Sequence, residues 1–195
     1  MSSLLQDIQV PYLTISEYVK MEEQSTEKLE YWNGKIKKVA GGSPEHNLIC
    51  GNIIGEFKIL FRELQQHFLV YTSDQKLLIP DFDLYVYPDA VVITEKPEIS
   101  DIETHALLNP LLIVEVLSSS TENYDLGSKF IMYKTIPSFR EYIAISQDKP
   151  WVLSSYKRDD GLWEDTIVQN VNADINLRSV GIQMALKYIY ADIKF

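Results

Sequence analysis

Along the chain, short β-rich runs alternate with helical stretches, and local signals mark where several of them begin. Thr14-Ile15-Ser16-Glu17 matches a capping box, in which hydroxyl and carboxylate each satisfy an orphan backbone amide, and it predicts a helix of about eight to ten residues. Lys28 to Trp32 and Lys35 to Ala40 flank Asn33-Gly34, the dipeptide best suited to the positive φ angles of a type I′ turn, and so predict a hairpin. Gly41-Gly42 breaks the second strand. Ser43 is an N-cap with Pro44 at the first helical position, and Ile49, Ile53, Phe57, Leu60 and Leu64 recur at helical spacing, predicting the longest helix, to about Gln66.

Four short runs follow, Phe68 to Thr72, Gln75 to Ile79, Leu84 to Tyr87 and Ala90 to Thr94, separated by Asp, Ser and Pro, and they read as consecutive strands of one sheet. Glu95 to Asn109 is polar and acidic, a loop. Leu111 to Leu117 is nearly all apolar, as a central strand covered on both faces should be. After Ser118-Ser119-Ser120-Thr121, Tyr124 to Thr135 predicts a helix with Leu126, Phe130 and Tyr133 on one stripe, ended by Pro137. Glu141 to Ser146 supplies a strand which, after a crossover of this length, runs parallel to the one holding Glu115. Trp151 to Arg158 and Leu162 to Gln169 form a hairpin around Asp159-Asp160-Gly161, and Ile182 to Phe195 packs back on the body as an element of undetermined type. The pattern predicts an α/β fold of one domain over residues 1–195, a central mixed sheet flanked by helices, with hairpins near both ends.

Composition changes little in this picture and narrows the chemistry. With 195 residues, 46% hydrophobic and 24% charged, the chain fits one packed core. Met1 to Val10 carries no basic and apolar leader pattern, and no apolar run approaches the roughly 20 residues of a membrane span, so a soluble, cytoplasmic protein is expected. One cysteine, Cys50, excludes an internal disulfide and a multi-cysteine zinc site, and is read as a small core residue. Three dispersed histidines, His46, His67 and His105, argue against a histidine-rich zinc site. A nucleotide cofactor has no Gly-rich or Walker-type loop to bind it, and Ser118-Ser119-Ser120 lacks the nucleophile-elbow glycines.

Two acids stand out because they sit where charge is costly. Asp89 opens the run Ala90-Val91-Val92-Ile93, and Glu115 lies inside Leu111 to Leu117. An unpaired charge in such strands costs several kcal/mol, and two converging carboxylates find their natural partner in a hard divalent cation such as Mg²⁺ or Mn²⁺, which takes oxygen ligands and leaves room for water and phosphate. A net charge of −10 opposes non-specific nucleic-acid binding, although Lys28, Lys35, Lys37 and Lys38 cluster in sequence.

The element order resembles the PD-(D/E)xK nuclease fold, and the span from about Leu13 to Lys187 resembles the Uma2 family, of restriction-endonuclease-like fold. The likeness rests on Glu30 to Gly34, Ser43-Pro44-Glu45-His46, Pro88-Asp89-Ala90, Pro110 to Ser118, Thr121, Asp125, Lys129, Tyr133 and Glu141-Tyr142. It implies a Mg²⁺-dependent DNA endonuclease with Asp89 and Glu115 as the metal pair, acting as a homodimer on duplex DNA. In the wider fold a lysine lies two residues beyond the second acid; here that position is Leu117. Lys129, in the next helix, is the candidate replacement, or else a surface lysine paired with Asp125 at i, i+4. His46 is a candidate base or phosphate donor, or a member of a polar network; Glu30 is a candidate third metal carboxylate, or an exposed strand acid. Leu117 and the acidic balance support the alternative, a nuclease-fold protein that binds or assembles without cutting. The aromatics Tyr85, Tyr87, Trp151, Tyr156 and Trp163 would suit a two-fold contact.

Overall fold

The capping box at the start of the first helix is formed: Thr14 N–H donates to Glu17 Oε2 at 2.7 Å and Glu17 N–H to Thr14 Oγ1 at 3.3 Å, opening α1 (Ile15–Gln24). The computed structural model describes residues 12–102 and 105–195. Strands β1 (Leu29–Trp32) and β2 (Lys35–Lys38) pair antiparallel around Asn33 and Gly34, whose φ angles of 42° and 88° are those the turn demands. Ser43 Oγ accepts the backbone N–H of His46 at 3.1 Å and starts α2 (Pro44–Glu63). Its buried stripe is Ile49, Ile53, Phe57 and Phe61, while Leu64 is exposed. The helix ends earlier than its apolar spacing suggests, and Gln65 beyond it takes a left-handed φ of 53°.

The four runs after α2 are not one sheet. β4 (Leu77–Ile79) and β5 (Leu84–Val86) join the first hairpin in a four-stranded sheet ordered β2-β1-β5-β4. β3 (Leu69–Thr72) and β6 (Ala90–Ile93) belong instead to a six-stranded sheet. The chain changes sheets between β5 and β6, over Tyr87-Pro88-Asp89, where Pro88 has no N–H to continue a ladder. This corner leaves Asp89 at the mouth of β6.

The larger sheet is ordered β10-β9-β8-β7-β6-β3, with β7 (Leu112–Leu117), β8 (Glu141–Ser146), β9 (Val152–Lys157) and β10 (Trp163–Val168). β7 and β8 are parallel and the other neighbours antiparallel, so the sheet is mixed. Every residue of β7 is buried. On one face Ala90, Val92, Val114 and Val116 pack against Ile49, Ile53 and Phe57 of α2. On the other, Val91, Ile113 and Leu117 pack with Phe130, Tyr133 and Tyr142.

The β7–β8 crossover is not one regular helix. A turn, α3 (Glu122–Tyr124), leads into Asp125–Lys129, where the chain kinks at Gly127 (φ −102°, ψ −108°), and α4 (Phe130–Tyr133) follows. The undetermined tail is strand β12 (Ile182–Ala185), paired with β11 (Asp174–Leu177), and a closing turn, α5 (Leu186–Ile189), against the α2 face. Among the described residues no helix is long and apolar enough to cross a membrane.

A second buried acid explains how β8 is fixed at the crossover. Glu141 is fully buried; Oε1 accepts Ser154 Oγ–H at 2.7 Å and Arg178 N–H at 3.2 Å, and Oε2 accepts Ser179 N–H at 2.8 Å. Its carboxylate thereby ties β8 to β9 and to the turn before β12. Glu141→Ala strands two backbone donors and a hydroxyl, and we expect it to cost about 3 kcal/mol, read as a lower urea midpoint with an unchanged m-value.

Candidate metal centre

β6 and β7 run antiparallel with Ala90 opposite Val114, so Asp89, just before β6, and Glu115, just after Val114, come to the same end of the strand pair. Asp89 meets His46 of α2, the helix packed on the face that carries Ala90 and Val114, whereas Glu115 meets Lys129 and Tyr133 on the face that carries Ile113. Both acids line a cleft of about 440 Å³, together with Glu30, His46, Asp125 and Lys129.

Each carboxylate is anchored by one oxygen. Asp89 Oδ2 accepts the backbone N–H of Val116 at 2.7 Å and lies 3.2 Å from His46 Nε2. Glu115 Oε1 accepts the hydroxyl of Tyr133 at 2.7 Å and lies 2.7 Å from Lys129 Nζ. The thiol of Cys50 also hydrogen-bonds to Asp89.

Lys129 is 5% exposed and also stands 3.5 Å from Asp125 Oδ1. The i, i+4 pair with Asp125 is thus real, but it is buried beside Glu115 rather than solvated. Asp125, Lys129 and Tyr133 follow one another at i, i+4 spacing, and the chain kinks between the first two at Gly127. Leu117, at the position where the wider fold carries lysine, is buried in the apolar layer.

Glu30 is buried on β1 rather than exposed. Its Oε1 accepts Tyr87 N–H at 3.3 Å and its Oε2 accepts Trp32 Nε1–H at 3.1 Å, with Lys37 at 4.0 Å. It reaches the cleft wall with both oxygens already engaged. Ser118 and Thr121 shape the turn after β7: Thr121 Oγ1 accepts Ser118 N–H at 3.4 Å, and the hydroxyls of Ser118 and Ser120 are hydrogen-bonded at 2.9 Å. Of the aromatics considered for a two-fold contact, Tyr85 is wholly buried, and Trp151 and Trp163 pack against the core.

The charge balance is uneven, with Glu30, Asp89, Glu115 and Asp125 gathered around the single buried ammonium of Lys129. Burial pushes Glu115 up to about 8, Lys129 opposing it and the charges of Asp125 and Asp89 adding to it. Burial alone would discharge Lys129, but Glu115 and Asp125 outweigh it and hold its pKa above the ordinary lysine value. The hydrogen bond to Asp89 raises His46 against burial. Lys129 therefore serves both Glu115 and Asp125, while Lys37 stands by Glu30 and His46 by Asp89. Oxygen donors in that state fit a hard divalent ion.

Tyr133 and Cys50 belong to this constellation although their patterns pointed elsewhere. Tyr133 read as part of an apolar stripe, yet it stands four residues after Lys129 and its hydroxyl reaches the same oxygen. Cys50 read as core, yet it stands four residues after His46, 3.6 Å from His46 Nδ1.

Because Glu115 holds its proton more tightly in the fold than an ordinary glutamate near 4.5, folding takes up a proton between pH 4.5 and about 8. Stability without divalent metal should therefore fall as pH rises through that window, and Glu115→Gln should flatten the slope. Urea unfolding at pH 5 and pH 8 tests this, and an equally steep mutant profile would refute it.

Comparison with known proteins agrees with this architecture. A protein of Synechocystis sp., sll1609, is 38% identical over 164 residues, 84% of this chain and 91% of that one. A second, slr1290, is 31% identical over 195 residues and 95% of each chain. Both carry the name "Uncharacterized protein". A crystal structure of "a putative nuclease belonging to DUF820" from Anabaena variabilis shares the fold, with a TM-score of 0.70 at 15% identity over 92% of this chain and 98% of that one. The model of the Uma2 family, described as "Putative restriction endonuclease", matches residues 15–187, and the chain belongs to that family.

Proposed function

We propose that this protein is a divalent-metal-dependent endonuclease that hydrolyses phosphodiester bonds of DNA, with Mg²⁺ or Mn²⁺ held between Asp89 and Glu115. The observation that supports the reading is that Asp89 and Glu115, carried by neighbouring strand segments, line one cleft, each held in place through one oxygen. Bound there, the ion would acidify a water and withdraw charge from the scissile phosphate. Val116 N–H and His46 fix the plane of Asp89, so His46 acts as a positioning residue. Tyr133 does the same for Glu115. Lys129 brings a permanent positive charge next to Glu115, where it can offset negative charge growing on the phosphorus-bound oxygens, the task the missing lysine at Leu117 would have had. Glu30, committed to Trp32 and Tyr87, holds the first hairpin against the corner that presents Asp89.

Substrate approach is favoured on one side. Lys37 and Lys38 line the cleft, and both are more than half exposed despite their ion pairs with Glu30 and Glu27. They give a phosphate backbone a local cationic edge on a chain of net charge −10. Cutting both strands of a duplex requires two such centres, and a homodimer is the assembly this chemistry calls for. The net charge favours a second reading, a metal-holding module that binds or assembles without cutting.

Two measurements separate these readings. At a hundredfold excess over its dissociation constant, Mn²⁺ should stabilise the wild type by about 2.7 kcal/mol and Asp89→Ala not at all. Plasmid nicking should require the metal and be abolished by Asp89→Ala; stabilisation without nicking would establish the second reading. Lys129→Met should lower the nicking rate about 10²- to 10³-fold while retaining metal stabilisation, the split expected of a group that acts on the reacting phosphate.

A further inference from the structure

The wall of the cleft formed by α2 carries a second donor set of different chemistry. His46 and Cys50 are one helical turn apart, at the i, i+4 spacing that brings two side chains to the same side of a helix. Asp89 faces them from the mouth of β6. One ligand atom from each of the three residues lies within 4.8 Å of the other two. Cys50 Sγ lies 3.6 Å from His46 Nδ1 and Asp89 Oδ2 3.2 Å from His46 Nε2, so the imidazole stands between the other two donors and turns to offer one nitrogen to an ion they share.

All three side chains are half-buried, and His46 and Asp89 open onto the cleft, which leaves room for water as a fourth ligand. The Val116 N–H that orients Asp89 supplies the outer hydrogen bond such ligands use.

We infer that Cys50, His46 and Asp89 form a site for a borderline-soft divalent ion, Zn²⁺ or Co²⁺, distinct from the oxygen-only centre and exclusive of it because both require Asp89. On binding, the thiol proton passes to solvent as the sulfur–metal bond forms, the imidazole coordinates through one nitrogen, and Asp89 through one oxygen. Glu115 is then left without its partner ligand. Regulation of hydrolysis by this exchange rests on the proposed nuclease reading; the ion site itself does not.

The test is optical. Co²⁺ is titrated into the metal-free full-length protein under reducing conditions. One equivalent should produce a sulfur-to-cobalt charge-transfer band in the near ultraviolet and the visible bands of a tetrahedral ion. Zn²⁺ should remove both by displacement. Cys50→Ser should abolish the charge-transfer band, His46→Gln should weaken Co²⁺ binding at least tenfold, and Glu115→Gln should retain the band. Wild-type protein loaded with Zn²⁺ should bind Mn²⁺ at least tenfold more weakly than metal-free protein, as read from the magnetic resonance signal of free Mn²⁺. Co²⁺ binding without a thiolate band, or a band unaffected by His46→Gln, overturns the site; Mn²⁺ affinity unchanged by Zn²⁺ overturns the exclusion. A band in a protein that never nicks DNA upholds the site and counts only against the hydrolytic reading, whereas nicking without a band overturns this inference alone.

Discussion

The contact between Lys129 and Glu115 governs how the centre of the molecule is built. β7 is covered on both faces, and a carboxylate in its middle cannot remain ionised unless charge is brought to it through the apolar layer. The crossover after β7 supplies that charge, at the expense of a regular helix. A continuous α-helix through Tyr124–Tyr133 would have placed Leu126, Phe130 and Tyr133 on its buried stripe, with no requirement that Lys129 point inward. The segment kinks at Gly127 instead, and the Lys129 ammonium and the Tyr133 hydroxyl both meet one oxygen of Glu115. Asp125 then balances the ammonium from the same segment.

The other half of the site depends on the turn at Tyr87-Pro88-Asp89. Because the chain passes there from the four-stranded to the six-stranded sheet, Asp89 is at once the first residue before a central strand and a residue at the open corner between two sheets. Its register brings it to the same end of the strand pair as Glu115, and its position at the corner exposes it to the start of α2. The hairpin β1–β2 closes that corner through Glu30, which holds Tyr87 N–H and the indole of Trp32. Three locally encoded pieces meet here: a type I′ hairpin, a capped helix start and a proline corner.

Those pieces were legible in the sequence because their causes are local. Asn33-Gly34, Thr14 with Glu17, and Ser43 with Pro44 each specify backbone geometry within four residues, and each is found where it was read. The strand β7 and its parallel partner β8 were legible from apolar content and crossover length. The division of the four central strands between two sheets was not, since pairing partners are chosen by contacts far apart in sequence, and alternation looks the same in either sheet. The burial of Glu30 and Lys129 was hidden for a similar reason: a charged residue reads as exposed until the partner that neutralises it, from another element, is known. Cys50 and Tyr133 were read as core because a helical stripe does not distinguish a side chain that merely packs from one that packs and also presents a polar atom at its end.

An excess of acid at one point makes sense only if something positive is meant to arrive there. Stability alone would favour replacing Glu115 by an apolar residue, because β7 is otherwise apolar and the removal of Glu115 would leave Lys129 paired with Asp125. Instead the fold keeps a carboxylate that its own lysine does not fully neutralise, in the same cleft as a second carboxylate whose contacts are a backbone amide, an imidazole and a thiol. A centre arranged in this way is incomplete as a piece of structural packing. On the proposed reading its electrostatics would close with a cation in the cleft, and the choice between hard and soft ions would turn on whether Asp89 is shared with Glu115 or with Cys50 and His46.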